Sequence, residues 1–397
     1  MKKKSVLGML VVTAALGVFM NIHHPVTPTL FTEMGLPSRI FGTSYAAMCF
    51  FSFLTSPFWG EISDAKGRLN VFLISCIGYG LAQLSLGFCT TEATVLISRS
   101  AAGFFASGTS IASIAYVADL SSPRQRGRAM SVVIAVQSVS LAVGYLLGGV
   151  LGSLSFVLAF TVQGIGMIGL GVATVALLEE SLTETRQIER GTLLRNINPL
   201  SSFLNARHLL SGAMILFAGV VIFSSFASTC YDNAFNYYLK DQMNFIPAYN
   251  GILKAIIGII GLAANFTINM WIVERTRVRL SLAVVLLLCC LSSAGALIST
   301  DLLPLFLGMN LAFYTVNAIY QPIIQTLSYQ HRGKTEIGMV TGLVNALKSL
   351  GNVAGSLFAG LIYDVSFILP FAAASVLFGA ASLTGYLYYR ADHTEEK

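Results

Sequence analysis

A chain of 397 residues with 55% hydrophobic and only 11% charged residues cannot clothe itself in a polar surface, since an average soluble domain carries roughly 25% charged residues. Lipid must be its solvent, which excludes a soluble enzyme. The net charge of +6 is dispersed over short segments between apolar runs, so no basic patch points to a nucleic-acid partner.

Backbone groups left unpaired in hydrocarbon are too costly to tolerate, so the spans must be helices or a closed barrel, and the apolar runs are far too long for barrel strands. Runs of about twenty residues bounded by charge, Gly or Pro place twelve spans near 6–31, 40–60, 70–89, 93–117, 129–151, 155–178, 208–231, 247–272, 280–299, 303–329, 337–362 and 366–389. The fold class expected is an all-α polytopic membrane protein of two pseudo-symmetric six-helix halves.

Lys2-Lys3-Lys4 and the apolar run behind it have the outline of a signal peptide. No small-x-small cleavage site follows, and the run continues through Asn21 and His23 toward Phe31, so an uncleaved first span is expected. Asn21, His23, His24 and Pro25 interrupt its second half. Between spans 2 and 3 comes Gly60-Glu61-Ile62-Ser63-Asp64-Ala65-Lys66-Gly67-Arg68, a charged turn of the form G-x-x-x-D-x-x-G-R. Asp64 is suited to accept hydrogen bonds from a helix N-terminus or to pair with an arginine, and Arg128 at the start of span 5 is one candidate partner.

Arg99 lies within span 4, where a guanidinium must face the protein interior or a watery path, or else snorkel as a structural residue. Span 5 carries Gln137 and the run Gly144-Tyr145-Leu146-Leu147-Gly148-Gly149, whose small residues permit close helix crossing. The polar stretch from Glu179 to Arg207 reads as a linker, dividing the chain into an N-terminal bundle at 1–180, a cytoplasmic linker at 181–206 and a C-terminal bundle at 207–397.

Span 7 ends in Tyr231-Asp232-Asn233-Ala234-Phe235-Asn236-Tyr237-Tyr238. Aligning the halves on Met34 and Met243 sets His23 opposite Asp232, either as titratable groups on a shared path or as polar caps at two helix ends. Lys254 lies close enough to the outer end of span 8 to reach the interface. Glu274 occupies the acidic slot of a second, glycine-free copy of the charged turn. Span 11 contains Asn345 and Lys348, and an ammonium at that depth must contact an anion, take part in coupling or sit in a structural ion pair. Gly351 and Gly355 mirror Gly144 and Gly148. Gln163, Asn310, Asn317, Gln321 and Gln325 complete the intramembrane polar set.

Two motif matches carry no chemistry. Gly164-Ile165-Gly166-Met167-Ile168-Gly169 fits a dinucleotide fingerprint but lies inside an apolar span with no preceding strand. Asn265-Phe266-Thr267 fits a glycosylation acceptor but falls within span 8. The six cysteines all lie in or beside apolar runs without C-x-x-C spacing, as small core residues do. No metal site, cofactor or nucleotide loop is expected. With the N-terminus placed in the cytoplasm, 19 of the 24 Lys and Arg fall on that side. The positive-inside rule therefore sets both termini in the cytoplasm.

Span count, central linker, internal repeat and the turn from Gly60 to Arg68 together resemble the major facilitator superfamily, close to its twelve-span drug/proton antiporter branch. The resemblance implies that Gly60, Asp64, Gly67, Arg68, Arg128 and Glu274 belong to a gate. It also implies that Arg99 serves proton coupling or substrate contact, and that Gly144, Gly148 and Gly149 stand for the antiporter glycines, with Tyr145 in place of a proline. The function expected is proton-coupled export of a small amphipathic or anionic compound by alternating access. Asp232, His23, His24, Lys348, Arg99, Asn21, Asn345 and Gln137 are the coupling or substrate set. The partners expected are membrane lipid, a small molecule and protons, in a monomeric protein of the cell membrane. An uptake symporter for a sugar, organic acid or siderophore is the alternative, and a non-transporting sensor is the alternative of another class.

Overall fold

The computed structural model describes residues 2–121, 126–182, 211–300, 302–330 and 337–395. The expected linker lies outside them apart from its first residues, as does the side chain of Arg128. In chain order the helices are α1 (Lys2–Asn21), α2 (Thr27–Glu33), α3 (Arg39–Lys66), α4 (Arg68–Leu86), α5 (Glu92–Leu120), α6 (Arg126–Leu154), α7 (Phe156–Leu177), α8 (Gly212–Asp241) and α9 (Pro247–Ala264). After a π-helical turn at Asn265–Asn269 follow α10 (Met270–Arg275), α11 (Val278–Ile298), α12 (Leu303–Gln330), α13 (Ile337–Tyr363) and α14 (Ile368–Glu395). Nine helices among the described residues are long and apolar enough to cross a membrane.

Helix ends are set by local chemistry. Thr91 and Thr94 form a reciprocal capping box at the start of α5, with bonds of 3.3 and 3.2 Å, which satisfies donors that the first turn would otherwise leave open. Ser155 accepts from the Leu158 amide at the start of α7. Gly67 joins α3 to α4 at φ +106°, a backbone conformation that only glycine adopts without strain. The first span of the sequence is broken, with a turn over residues 22–26 between α1 and α2. Such a break is tolerated at membrane depth only inside protein. Ile22, His23, Pro25 and Val26 are buried accordingly.

The chain separates into two compact units. The first comprises Met1–Ile40, Ala47–Pro199 and Leu239–Ile259; the second comprises Phe41–Ala46, Leu200–Tyr238 and Ile260–Lys397. Within the first, α4 packs along α5 and α7, and α1 along α6; within the second, α11 packs along α12 and α14. The same relation recurs in each half of the sequence, where the helix after the charged turn packs against the next helix and against the last one. The outside of the molecule is apolar, with Ile298 83%, Leu177 80% and Val376 70% exposed.

Glycine sets how closely the helices approach. A Cβ on Gly144 or Gly148 of α6 would meet the carbonyls of Val18 and Ile22. A Cβ on Gly351 or Gly355 of α13 would meet those of Ile222 and Phe226. Gly149 lies against Gly251 at the start of α9, inside the first unit. Gly164 of the apparent dinucleotide motif crosses α4 at Gly80, so helix packing accounts for it. Gly60 differs, since among the described residues its Cβ would meet nothing within 4 Å. Gly148→Ala and Gly355→Ala are each expected to cost about 1–3 kcal/mol through backbone displacement. Gly60→Ala should stay within about 0.5 kcal/mol. Thermal unfolding of the purified protein in detergent checks the contrast.

Candidate functional site

Three polar constellations stand out from the apolar frame. The first surrounds the Gly67 turn. Arg68 is buried despite its charge, at 9% exposure. Its Nε donates to Asp119 Oδ2 at 2.9 Å, while its Nη1 donates to Ser63 Oγ at 3.1 Å and to the Asp64 carboxylate. The carboxylate of Glu180, just beyond α7, accepts from the backbone amides of Arg68 and Leu69 at 3.0 Å each. It thus caps α4, where the helix dipole favours negative charge. Ser181 Oγ donates to Asp119 at 3.2 Å, and Tyr116 Oη donates to the Glu179 carbonyl at 2.7 Å. The partner of Asp64 among the described residues is therefore Arg68, one turn on. Asp119 and Glu180 were not singled out from the sequence. Each ends an apolar run, and an acid in that position was the available signal. Glu274 is exposed on the last turn of α10 and makes no hydrogen bond or ion pair among the described residues.

The second constellation lies at the break between α1 and α2. His23 is 3% exposed, and its Nδ1 meets Gln163 Nε2 of α7 at 3.2 Å. Gln163 Nε2 also donates to the Phe19 carbonyl at 2.8 Å. Arg99 of α5 is 2% exposed and donates to Thr27 Oγ1 at 2.8 Å. The Thr27 hydroxyl in turn donates to the His23 carbonyl at 2.7 Å. Among the described residues His23 Nε2 and Gln163 Oε1 are buried without a hydrogen-bond partner. Buried polar atoms without a protein partner ordinarily hold water. His24 stacks on His23 with ring centroids 4.2 Å apart and meets the edge of Tyr145 at 5.4 Å. Asn21 donates back to the Gly17 carbonyl of its own helix at 2.7 Å. Gln137 is half-buried on α6, beside Gly17.

The third belongs to the second unit. Helix α8 runs to Asp241, well past the expected end of span 7, so Tyr231 to Tyr238 are helical and mostly buried rather than capping residues in water. Asp232 accepts from Tyr314 Oη of α12 at 2.8 Å, and Tyr231 donates to Asn310 Oδ1 at 2.8 Å. Lys348 of α13 donates to Gln321 Oε1 at 2.6 Å. Asn345 is exposed one turn before it. Gln325 is exposed as well. Thr229 donates to Asn352 and Asn233 to Ser356, both at 2.9 Å. His23 and Asp232 belong to different units, and each is held by the partners named above. Lys254 is 3% exposed, on the α9 face between Gly251 and Gly258, instead of reaching an interface. Among the described residues no group of three or more His, Cys, Asp and Glu side chains is arranged to hold a metal.

Comparison with known proteins places these features in a family. The model of the Major Facilitator Superfamily matches residues 9–354. "Multidrug resistance protein 2" of Bacillus subtilis (strain 168) is 23% identical over 359 residues, covering 90% of this chain and 88% of that protein. "Quinolone resistance protein NorA" of Staphylococcus aureus is 22% identical over 357 residues, covering 87% and 86%. Among solved structures, a bacterial homolog of the human lysosomal transporter Spinster, in an inward-facing and occupied conformation, aligns with a TM-score of 0.80 at 13% identity over 98% of this chain and 97% of that one. The human organic anion transporter MFSD10 aligns at 0.66 with 20% identity over 98% of both chains. The chain belongs to the Major Facilitator Superfamily and is a multi-pass membrane transporter of small molecules, not an enzyme.

Proposed function

We propose that this transporter exports small amphipathic or anionic compounds across the cell membrane in exchange for protons, as a monomer with both termini in the cytoplasm. In this reading the bundles at 1–180 and 207–397 rock about a midplane substrate site, and the linker at 181–206 ties them together. The observation that carries it is the buried network of His23, Gln163, Thr27 and Arg99. What supports the reading is that a buried imidazole is linked through Thr27 to a buried guanidinium and has a ring nitrogen without a partner among the described residues. Coupling requires a proton site whose surroundings differ between the two facing states. Because Arg99 rides on α5 while Thr27 and His23 belong to the α1–α2 break, movement of α5 against that break changes the surroundings of the imidazole. Relatives aligned over about nine-tenths of the chain bear multidrug- and quinolone-resistance names, which supports the outward direction and makes quinolones the first compounds to try.

The turn carrying Asp64 and Arg68 serves in this scheme as a latch at the cytoplasmic face. Its ion pairs to Asp64 and Asp119 hold α3, α4 and α5 in one arrangement and must loosen in each cycle.

Inverted membrane vesicles test the scheme with a panel of fluorescent quinolones and organic anions. Accumulation driven by an imposed proton gradient and abolished by a protonophore is expected. If no compound in the panel accumulates under a verified gradient, the export reading fails. Asp64→Asn is expected to lower turnover at least tenfold while ligand binding changes less than twofold, a split that a non-transporting sensor would not show. In His23→Gln, gradient-driven accumulation should disappear while downhill equilibration of the same compound persists. Retention of gradient-driven accumulation in this variant would remove His23 from the coupling path.

A further inference from the structure

Helix α13 has two accessible sides of opposite character. Leu350, Leu357 and Leu361 are exposed along one of them, which is the side that suits lipid. Asn345, Lys348 and Asn352 are spaced three and four residues apart and so share a second side, where Asn345 is exposed and the other two are half-buried. At about 100° per residue, this second side lies roughly opposite the three leucines. Two amides and an ammonium left accessible on the side turned away from lipid require a path that water enters.

The hydrogen bonds on this side leave donors in excess. Lys348 Nζ donates to Gln321 Oε1 of α12 at 2.6 Å, and the Gln321 amide is held in that orientation by its own Nε2, which donates to Tyr320 Oη at 3.3 Å. No ion pair among the described residues includes Lys348. An ammonium has three N–H donors, so two remain after the bond to Gln321. Thr229 Oγ1 of α8 donates to Asn352 Oδ1 at 2.9 Å. That bond engages the acceptor of the Asn352 amide and leaves its Nδ2 with donors to give. All of these residues belong to the second unit.

We propose that Lys348 and Asn352 form a carboxylate subsite on the substrate path, the Lys348 ammonium supplying the charge and Asn352 Nδ2 a second donor one helical turn away. The inference rests on the transport reading above and narrows its substrate class to amphipathic carboxylates. Side chains four residues apart on a helix have Cβ atoms about 5–6 Å from each other, a reach that lets the two donors meet the two oxygens of one carboxylate. Gln321 makes the subsite selective. A neutral acceptor positions the ammonium without cancelling its charge, so the charge meets its counter-ion only when the ligand arrives. Without ligand, water on the path solvates the ammonium. A neutral ligand of the same shape displaces that water and supplies no counter-charge, which leaves a desolvated ion uncompensated.

The probes are 2-naphthoate and 2-naphthamide, alike in shape and different in charge at neutral pH. Binding is measured by calorimetry on the full chain in lipid nanodiscs. The naphthoate is expected to bind about tenfold more tightly than the amide, the margin of one charge-assisted hydrogen bond. Lys348→Gln should bring the naphthoate down to the level of the amide, and Asn352→Ala should weaken it about threefold. Gln321→Glu gives Lys348 a fixed counter-charge in place of the ligand's and should also abolish the preference, which keeps the test open where Lys348→Gln does not fold. Unchanged binding of the naphthamide shows that each variant is folded. Equal affinity for the two probes in the wild type, binding of neither, or a preference that persists in Lys348→Gln or Gln321→Glu overturns the proposal. So does a parallel loss of both probes in the variants, or wild-type affinity for naphthoate in Asn352→Ala. Vesicle transport separates this outcome from failure of the coupling scheme. A charge preference without dependence on a proton gradient would sink the coupling scheme alone, whereas gradient-driven transport of both probes at one rate would sink the carboxylate subsite alone.

Discussion

The structure depends on one constraint: a polar group in contact with hydrocarbon has nothing to bond to, so every such group must be satisfied inside the protein. The chain meets it by turning the usual arrangement outward, with leucine, isoleucine and valine exposed and Arg68, Arg99, Lys254, His23 and several amides buried. Helices that must bring polar side chains together also have to approach closely. Glycines laid over carbonyls, at Gly144 and Gly148 in one half and at Gly351 and Gly355 in the other, give that approach without placing a side chain in the way. Packing and polar chemistry are therefore solved together, on the same helices.

Composition was enough to read the solvent, the helical class and the positions of most spans, because hydrophobic length is a one-dimensional property. Long-range partners were another matter. The turn at Gly60 to Arg68 was visible in the sequence, yet Asp119 and Glu180, which close around Arg68, lie 51 and 112 residues away. Only the fold brings them near. The expected end of span 7 near residue 231 also fell short, since Tyr231-Asp232-Asn233 reads as a polar terminus. In the fold these residues sit within α8, bonded to Asn310, Tyr314 and Ser356. Tertiary hydrogen bonds paid their desolvation, which hydropathy cannot foresee.

The same reason explains Lys254 and Gly60. A lysine near a span end reads as one that reaches water, but the face it shares with Gly251 and Gly258 is buried. A glycine in a charged turn suits close helix approach, but among the described residues nothing lies within 4 Å of a Cβ on Gly60. Periodicity identifies which residues share a face, while the identity of the neighbour across that face requires the three-dimensional arrangement. Lys348 and Asp232 illustrate both halves of this statement. Each was conspicuous by itself, and their bonds to Gln321 and Tyr314 of α12 emerged only from the fold.

Intramembrane polar faces address water inside the protein, while the apolar surface addresses lipid. Cysteine accessibility tests it most directly, in a background with the six native cysteines replaced. Cysteines placed singly at Asn345 and Gln321 should react with a membrane-impermeant, charged thiol reagent, and a cysteine at Val376, 70% exposed on α14, should not. Reaction at Val376 together with silence at Asn345 and Gln321 would contradict the account.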